Sequence, residues 1–275
     1  MMHRSSRHIV SRIARRPDGV ATGGRMVPEE TPIAFSYNGT THAVMMASPI
    51  DIEDFAVGFS LSEGIVGRAE DIREIMVQEF ETGIDVQIRL AEGANEALRV
   101  RRRHMAGPVG CGLCGIESIE EAVRPVNIVA NAGLRLSGAD IALSVRLLSA
   151  MQPIHAETGA VHAAGFYMPG KGIVEAREDV GRHNALDKLS GALARQGIDG
   201  ASGAVVVTSR VSVEMVQKSA IIGTPILIAV SAPTALALRT ADEAGMTVVA
   251  LVRGDDFDVF TGSDRIDTES MLHVE

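Results

Sequence analysis

The chain has 275 residues, 46% of them hydrophobic and 22% charged, with a formal net charge of −9. That is enough apolar material for one large core or two smaller ones, and the acidic balance excludes general nucleic-acid binding, which relies on a basic surplus to neutralise phosphate. No apolar run approaches the roughly 20 residues that span a bilayer and the first residues lack the apolar stretch of a secretory signal, so a cytoplasmic location without membrane contact is expected.

Residues 1–27 are basic, with Arg4, Arg7, Arg12, Arg15 and Arg16 ahead of the first acid, Asp18. This composition predicts a disordered arm, or else an organelle transit segment. Runs at 33–37 and 42–46 flank Asn38-Gly39, a type I′ hairpin signal. Ser48-Pro49-Ile50-Asp51 opens a helix with Phe55, Val57, Phe59 and Leu61 as apolar positions, acids in its first turn and Gly64 as its stop. Runs at 75–80 and 84–90 bracket Glu81-Thr82-Gly83 as a second hairpin, 94–105 is weakly helical, and 137–151 is an amphipathic helix capped by Ser137 or Asp140.

From Gly172 the pattern alternates: strands at 173–176, 204–207, 226–230 and 247–252, helices at 183–194, 213–222 and 233–244. Such alternation predicts a largely parallel sheet with covering helices. The unbroken apolar runs 204–207 and 226–230 fit strands buried on both faces. The expected organisation is the basic arm 1–27, an α+β part over 28–136 with a cysteine loop at 106–116, and an α/β part over 137–275.

The only two cysteines, Cys111 and Cys114, lie in Gly110-Cys111-Gly112-Leu113-Cys114-Gly115. Two cysteines in a long chain do not make a disulfide framework, so the pair points to metal, redox or nucleophilic chemistry. A zinc site would need two more ligands from His155, His162 or His183. A thioredoxin-like pair belongs at a strand-to-helix junction of a smaller βαβ unit, unlike this glycine-flanked loop. Sulfur carriage, with a thiolate holding sulfur as a persulfide, suits a mobile exposed loop. Arg101, Arg102, Arg103 and His104 just upstream would raise the thiolate fraction if they lie near it, and otherwise form a solvated basic run. His155-Ala156-Glu157 matches half of the zinc deaminase signature, but Pro108 is not adjacent to Cys111 and the cysteine pair precedes the histidine.

Three further stretches could hold a ligand. Small residues surround His162 in Thr158-Gly159-Ala160-Val161-His162-Ala163-Ala164-Gly165. Glu178-Asp179-Val180-Gly181-Arg182-His183-Asn184-Ala185-Leu186-Asp187-Lys188 opens a helix after a strand, with Arg182, His183 and Lys188 as donors for an anion beside ordinary capping by Glu178 and Asp179. Thr208-Ser209-Arg210 and Ser231-Ala232-Pro233-Thr234 are strand-to-helix turns, which gather at the carboxyl edge of a parallel sheet. Together they predict one pocket for a large anionic, nucleotide-like ligand.

With these motifs, and with Asp51-Ile52-Glu53-Asp54-Phe55-Ala56-Val57-Gly58-Phe59 and Ser62-Glu63-Gly64, all in the same order over 32–262, the chain resembles the FdhD/NarQ family of formate dehydrogenase accessory proteins. It departs from the family in Pro108-Val109-Gly110, where members often carry hydroxyl residues. The resemblance implies a cytidine-deaminase-like mixed α/β fold, a homodimer, and sulfur transfer from a cysteine desulfurase to the molybdenum cofactor, a bis(molybdopterin guanine dinucleotide), before its insertion into formate dehydrogenase. It implies that Cys111 carries the persulfide with Cys114 auxiliary, and that Phe257, Asp258, Val259, Phe260, Thr261 and Gly262 contact the cofactor. Its pyrophosphates suit the anion pocket of His162, Arg182, His183, Asn184, Lys188, Ser209, Arg210 and Ser231. The alternative is a chaperone that binds the cofactor without covalent sulfur chemistry.

Overall fold

The computed structural model describes residues 4–93, 126–129 and 133–267. The cysteine loop, the Arg101–His104 run and the weakly helical 94–105 stretch fall outside the described residues.

The chain opens with an antiparallel ribbon, β1 (Arg7–Arg16) and β2 (Gly19–Pro28), where a disordered arm was expected. The alternation His8-Ile9-Val10-Ser11-Arg12-Ile13 and the Pro17-Asp18-Gly19 turn supply the strand and turn chemistry. Arg7 pairs with Glu157 at 2.8 Å and Arg25 donates to the Thr158 carbonyl at 3.0 Å, tying the ribbon to the body.

A four-stranded sheet follows, built from β3 (Thr31–Tyr37), β4 (Thr40–Ala47), β5 (Ile72–Phe80) and β6 (Gly83–Leu90) in the order β4-β3-β6-β5. Asn38 and Gly39 take φ of 49° and 82°, the left-handed pair that a type I′ turn requires. On the inner face of this sheet lies α1 (Ile52–Ser62). Phe35 stacks on Phe59 at 4.6 Å and meets Phe55 edge-on at 5.0 Å, contacts worth about 0.5–1.5 kcal/mol each beyond their burial.

After β7 (Leu136–Ser137) comes α2 (Gly138–Ala150), whose capping box joins both expected caps: Asp140 N donates to Ser137 Oγ at 3.2 Å and Ser137 N to Asp140 Oδ2 at 3.0 Å. The second half continues with α3 (Pro153–Thr158), β8 (His162–Met168), β9 (Gly172–Asp179), α4 (Arg182–Gln196), β10 (Ala204–Val207), α5 (Val213–Ile222), β11 (Ile226–Ala229), α6 (Ala235–Ala244), β12 (Thr247–Arg253), β13 (Asp256–Thr261) and β14 (Ile266–Asp267). Its six strands run in the order β13-β12-β11-β10-β8-β9. Only β10, β11 and β12 are mutually parallel; β8, β9 and β13 join as antiparallel neighbours, so the sheet is mixed, as the family resemblance implies, where the alternation alone predicts a largely parallel one. Tight reversals after Met168 and Arg253, with Gly170, Gly172 and Gly254 at positive φ, produce the two hairpins. Packing on both faces matches the apolar strands: Val205 and Val207 of β10 meet α4, α5 and α6, while Ala204 and Val206 share a cluster with Ile141 and Leu148 of α2. Among the described residues no helix is long and apolar enough to cross a membrane.

The two halves are joined where α1 crosses α4. A Cβ on Gly58 would sit 1.7 Å from the Asp187 carbonyl oxygen, and one on Gly191 would sit 1.9 Å from that of Asp54. Ions line the same seam: Lys218 Nζ bonds Asp187 at 2.8 Å, Ser62 Oγ donates to the same carboxylate at 2.7 Å, and Arg177 bonds Asp54 at 2.8 Å. Helix propensity alone would make Gly58→Ala or Gly191→Ala stabilising by about 1 kcal/mol. Because the obstructing atoms are backbone, each is expected instead to destabilise by about 3 kcal/mol or more in urea denaturation.

Candidate functional site

The amino end of β8 and the carboxyl ends of β9, β10 and β11 meet at one edge of the mixed sheet. His162 is in register with Asp179, and Ala163 N donates to Thr208 Oγ1 at 3.0 Å while Thr208 N donates to the Ala163 carbonyl at 3.1 Å. Val211 bridges Pro233, with Thr234 N donating to the Val211 carbonyl at 3.0 Å. This edge therefore gathers His162, Arg182, His183, Ser209, Arg210 and Ser231, six of the residues expected to bind an anion.

Their path is set by Asp179. This carboxylate is fully buried and accepts four bonds: from Gly181 N at 2.8 Å and Asn184 Nδ2 at 2.9 Å through Oδ1, and from Ser48 N at 2.9 Å and Lys188 Nζ at 2.7 Å through Oδ2. A buried charge is tolerated at that level of satisfaction. Asn184 and Lys188 are consequently turned inward: Lys188 is fully buried and also donates to the Ser48 carbonyl at 2.9 Å, and Asn184 donates to the Met46 carbonyl at 2.9 Å. They fix the start of α4 instead of offering donors to an anion at the edge. Glu178 caps a different helix, accepting from Ile154 N at 2.9 Å and His155 N at 2.8 Å at the start of α3.

What remains for a ligand is cationic and partly exposed. Arg182 is half-buried and its Nε is buried with no partner among the described residues. Arg210 is exposed, while Ser209 is buried with its Oγ donating to the Arg210 carbonyl at 3.1 Å. Burial pushes the His162 pKa below the usual histidine value, and Arg182, His155 and His183 push it the same way against Asp179. His183 Nε2 lies 2.9 Å from Glu214 Oε2, and this contact holds the Glu214 carboxyl below its usual range.

The stretch Phe257 to Gly262 is edge strand β13 and its exit, antiparallel to β12, with Asp258 opposite Ala250 and Thr261 opposite Val248. Phe257 and Val259 are half-buried, Asp258 and Phe260 are exposed. Thr261 Oγ1 donates to the Met246 carbonyl at 2.7 Å, and Gly262 takes φ of 56° against Thr247. These two therefore sit at the opposite end of the sheet from His162, and β13 is four strands from β8, about 19 Å at the usual strand spacing. They are not brought together with the cationic edge.

Glu214 and Leu251 carry no strong local signal, and Asp179 reads locally as no more than a helix cap. Leu251, a leucine at φ 59° in a β-bulge of β12, donates its N–H to the Ser231 carbonyl at 3.5 Å; strained backbone of this kind concentrates at functional sites. Among the described residues no group of three or more His, Cys, Asp or Glu is placed to hold a metal ion.

Residues 28–267 match the FdhD/NarQ family. The chain belongs to that family. Relatives of this FdhD/NarQ member include a sulfur carrier protein FdhD of Agrobacterium fabrum, 60% identical with 94% of this chain and 95% of the relative covered. One of the same name from Brucella abortus is 55% identical with 94% and 96% covered. A crystal structure from Desulfotalea psychrophila, provisionally described as a formate dehydrogenase accessory protein, superposes with a TM-score of 0.77 at 27% identity, covering 96% of this chain and 100% of that one.

Two outcomes are expected. Asp179→Asn leaves Lys188 buried without its counter-charge and should destabilise the fold by about 3–5 kcal/mol in urea denaturation. By NMR, His162 should titrate below the free-histidine value of about 6.5. Since the unfolded chain then takes its proton at higher pH than the folded one, this residue's contribution to stability declines as pH falls through about 6.5. Pyrophosphate bound at the edge should shift the midpoint upward.

Proposed function

We propose that this protein is a sulfur carrier that delivers sulfur to an anionic nucleotide-bearing substrate bound at the cationic sheet edge. The observation that carries the reading is that both cysteines of the chain, Cys111 and Cys114, fall within the 28–267 span matched to a family whose relatives are called sulfur carriers. The Cys111 thiolate attacks the outer sulfur of a cysteine desulfurase persulfide; the S–S bond breaks, the desulfurase leaves as its thiolate, and Cys111 holds the persulfide. Attack by the Cys114 thiolate on the inner sulfur then releases hydrosulfide and leaves a Cys111–Cys114 disulfide, which an external dithiol reduces for the next round.

The substrate of this reading is the molybdenum cofactor carrying two guanine dinucleotides, destined for formate dehydrogenase. Support comes from the donor set: Arg182 with a buried unpartnered Nε, exposed Arg210 and a neutral His162 suit pyrophosphate oxygens. Only an extended ligand reaches from that edge to β13, which fits a dinucleotide better than a mononucleotide. The same proposal includes a homodimer working in the cytoplasm and, for the second half, a cytidine-deaminase-like fold, consistent with its mixed sheet covered by helices on both faces.

Incubation with a cysteine desulfurase and free cysteine should add about 32 Da to the Cys111 peptide, removable by a thiol reductant. Cys111→Ala should reduce client activation to background with an unchanged thermal melt. Full client activity in that variant would refute covalent carriage and leave cofactor binding alone as the function.

A further inference from the structure

Three cations are buried among the described residues, and two of them are paired: Lys188 with Asp179 at 2.7 Å and Lys218 with Asp187 at 2.8 Å. Arg265, the third, is only 9% exposed and forms no ion pair with a described acid. Its Nη1 donates to Thr247 Oγ1 at 3.1 Å, its Nε is buried without a partner, and its Nη2 bonds to no described residue. Burying a charge is costly unless it is paired and hydrogen-bonded. A guanidinium with its whole Nε–Nη2 edge unused points to a ligand that completes it, and two parallel N–H groups of this kind match a pair of oxyanion oxygens.

Arg265 closes the turn Ser263–Arg265 that leads from β13 into β14. Thr247 Oγ1 donates its proton to the Gly262 carbonyl at 2.6 Å and so meets Arg265 as an acceptor, which holds one corner of the guanidinium in place. A Cβ on Gly262 would lie 2.6 Å from that hydroxyl and 3.3 Å from Arg265 Nη1, so any side chain there would displace the arginine and its partner. Exposed Arg135 donates from Nη2 to the Asp264 carbonyl at 2.6 Å and likewise pairs with no described acid, which brings a second guanidinium to the same turn. The carboxylate of Asp264 is exposed and pairs with neither arginine.

We propose that Arg265 is the seat of a phosphate group, whose oxygens take the Nε–Nη2 edge side-on with Arg135 as an outer cation. The seat adjoins Gly262, at the end of the sheet opposite His162, so it and the cationic edge hold different phosphates of one extended ligand. That this ligand carries two guanine dinucleotides rests on the function proposed above; the seat itself rests on Arg265. Selectivity follows from the separation: a mononucleotide fills one site, and only a ligand with phosphates at both ends fills the two.

The test uses GDP and inorganic phosphate as probes on the full-length Arg182→Ala, Arg210→Ala protein, in which the cationic edge is disabled. GDP should bind this protein and raise its melting midpoint, and adding Arg265→Met should weaken GDP roughly tenfold or more by calorimetry. Without ligand, the added Arg265→Met should melt no lower than its parent, because an apolar side chain of similar length removes an unpaired buried charge. Arg265→Lys keeps the charge but not the paired N–H edge, and should also bind GDP weakly. Absence of GDP binding in the parent, or unchanged affinity in Arg265→Met, overturns the seat. Weak binding accompanied by a midpoint several degrees lower in both Arg265 variants assigns the arginine to the fold and overturns it too. GDP that binds no more tightly than inorganic phosphate keeps the seat and removes the nucleotide. Sulfur loading of the wild type is read separately by mass, so a chain that fails to load sinks the carrier reading and not the seat.

Discussion

At the crossing of α1 and α4 the two backbones approach closer than any side chain permits, with Gly58 against the Asp187 carbonyl and Gly191 against that of Asp54. This constraint sets the rest of the architecture. It lets α1 be buried on both sides, with Phe55 and Phe59 against the four-stranded sheet and its glycine face against the second half. Such a contact has one register only, and the buried carboxylates along it mark that register: Asp54 receives Arg177, Asp187 receives Lys218 and Asp179 receives Lys188. Buried ion pairs add little net stability against well-packed apolar residues, but a mismatched seam would strand a charge in each case. Their role is to make one arrangement of the two halves far better than its neighbours.

The cationic edge inherits its geometry from that seam. Asp179 ends β9, and by gathering donors from Ser48, Gly181, Asn184 and Lys188 it ties the turn into α4 to the first half of the chain. The turn that carries Arg182 and His183 is thereby held by both halves, while the Arg182 Nε has no partner among the described residues. Preorganisation of this kind lowers the ordering cost of binding an anion. Partial burial and the neighbouring cations lower the His162 pKa, so the positive charge of this edge rests on Arg182 and Arg210.

Local chemistry was readable wherever the deciding contacts lie within a few residues. Asn38-Gly39 marks its turn, Ser137 and Asp140 mark their cap, and the apolar runs Ala204–Val207 and Ile226–Ala229 mark strands covered on both faces. What could not be read depends on distant partners. The β1–β2 ribbon looks like a basic arm by composition, and only its pairing and its anchors on α3 make it a strand pair. Lys188 and Asn184 look like anion donors beside Arg182 until Ser48 and Met46, some 140 residues earlier, are seen to occupy them. The sheet is mixed because β8 pairs antiparallel with β9 and β10, and the alternation does not show this because the small residues around His162 read as a ligand loop and not as a strand. Family motifs carried the functional reading further than periodicity could, since the role proposed for Cys111 is not encoded by any packing pattern.

In the proposed function, loading and delivery of sulfur are separate acts: Cys111 takes the sulfur up, and its release through Cys114 is productive only onto a substrate held at the cationic edge. The most direct measurement follows sulfur-35 from labelled cysteine through a desulfurase onto the protein, then in a single turnover onto cofactor-loaded client, for the wild type and for an Arg182→Ala, Arg210→Ala variant. Equal uptake of label by both proteins and delivery by the wild type alone are expected. Delivery by the variant at the wild-type rate would contradict it.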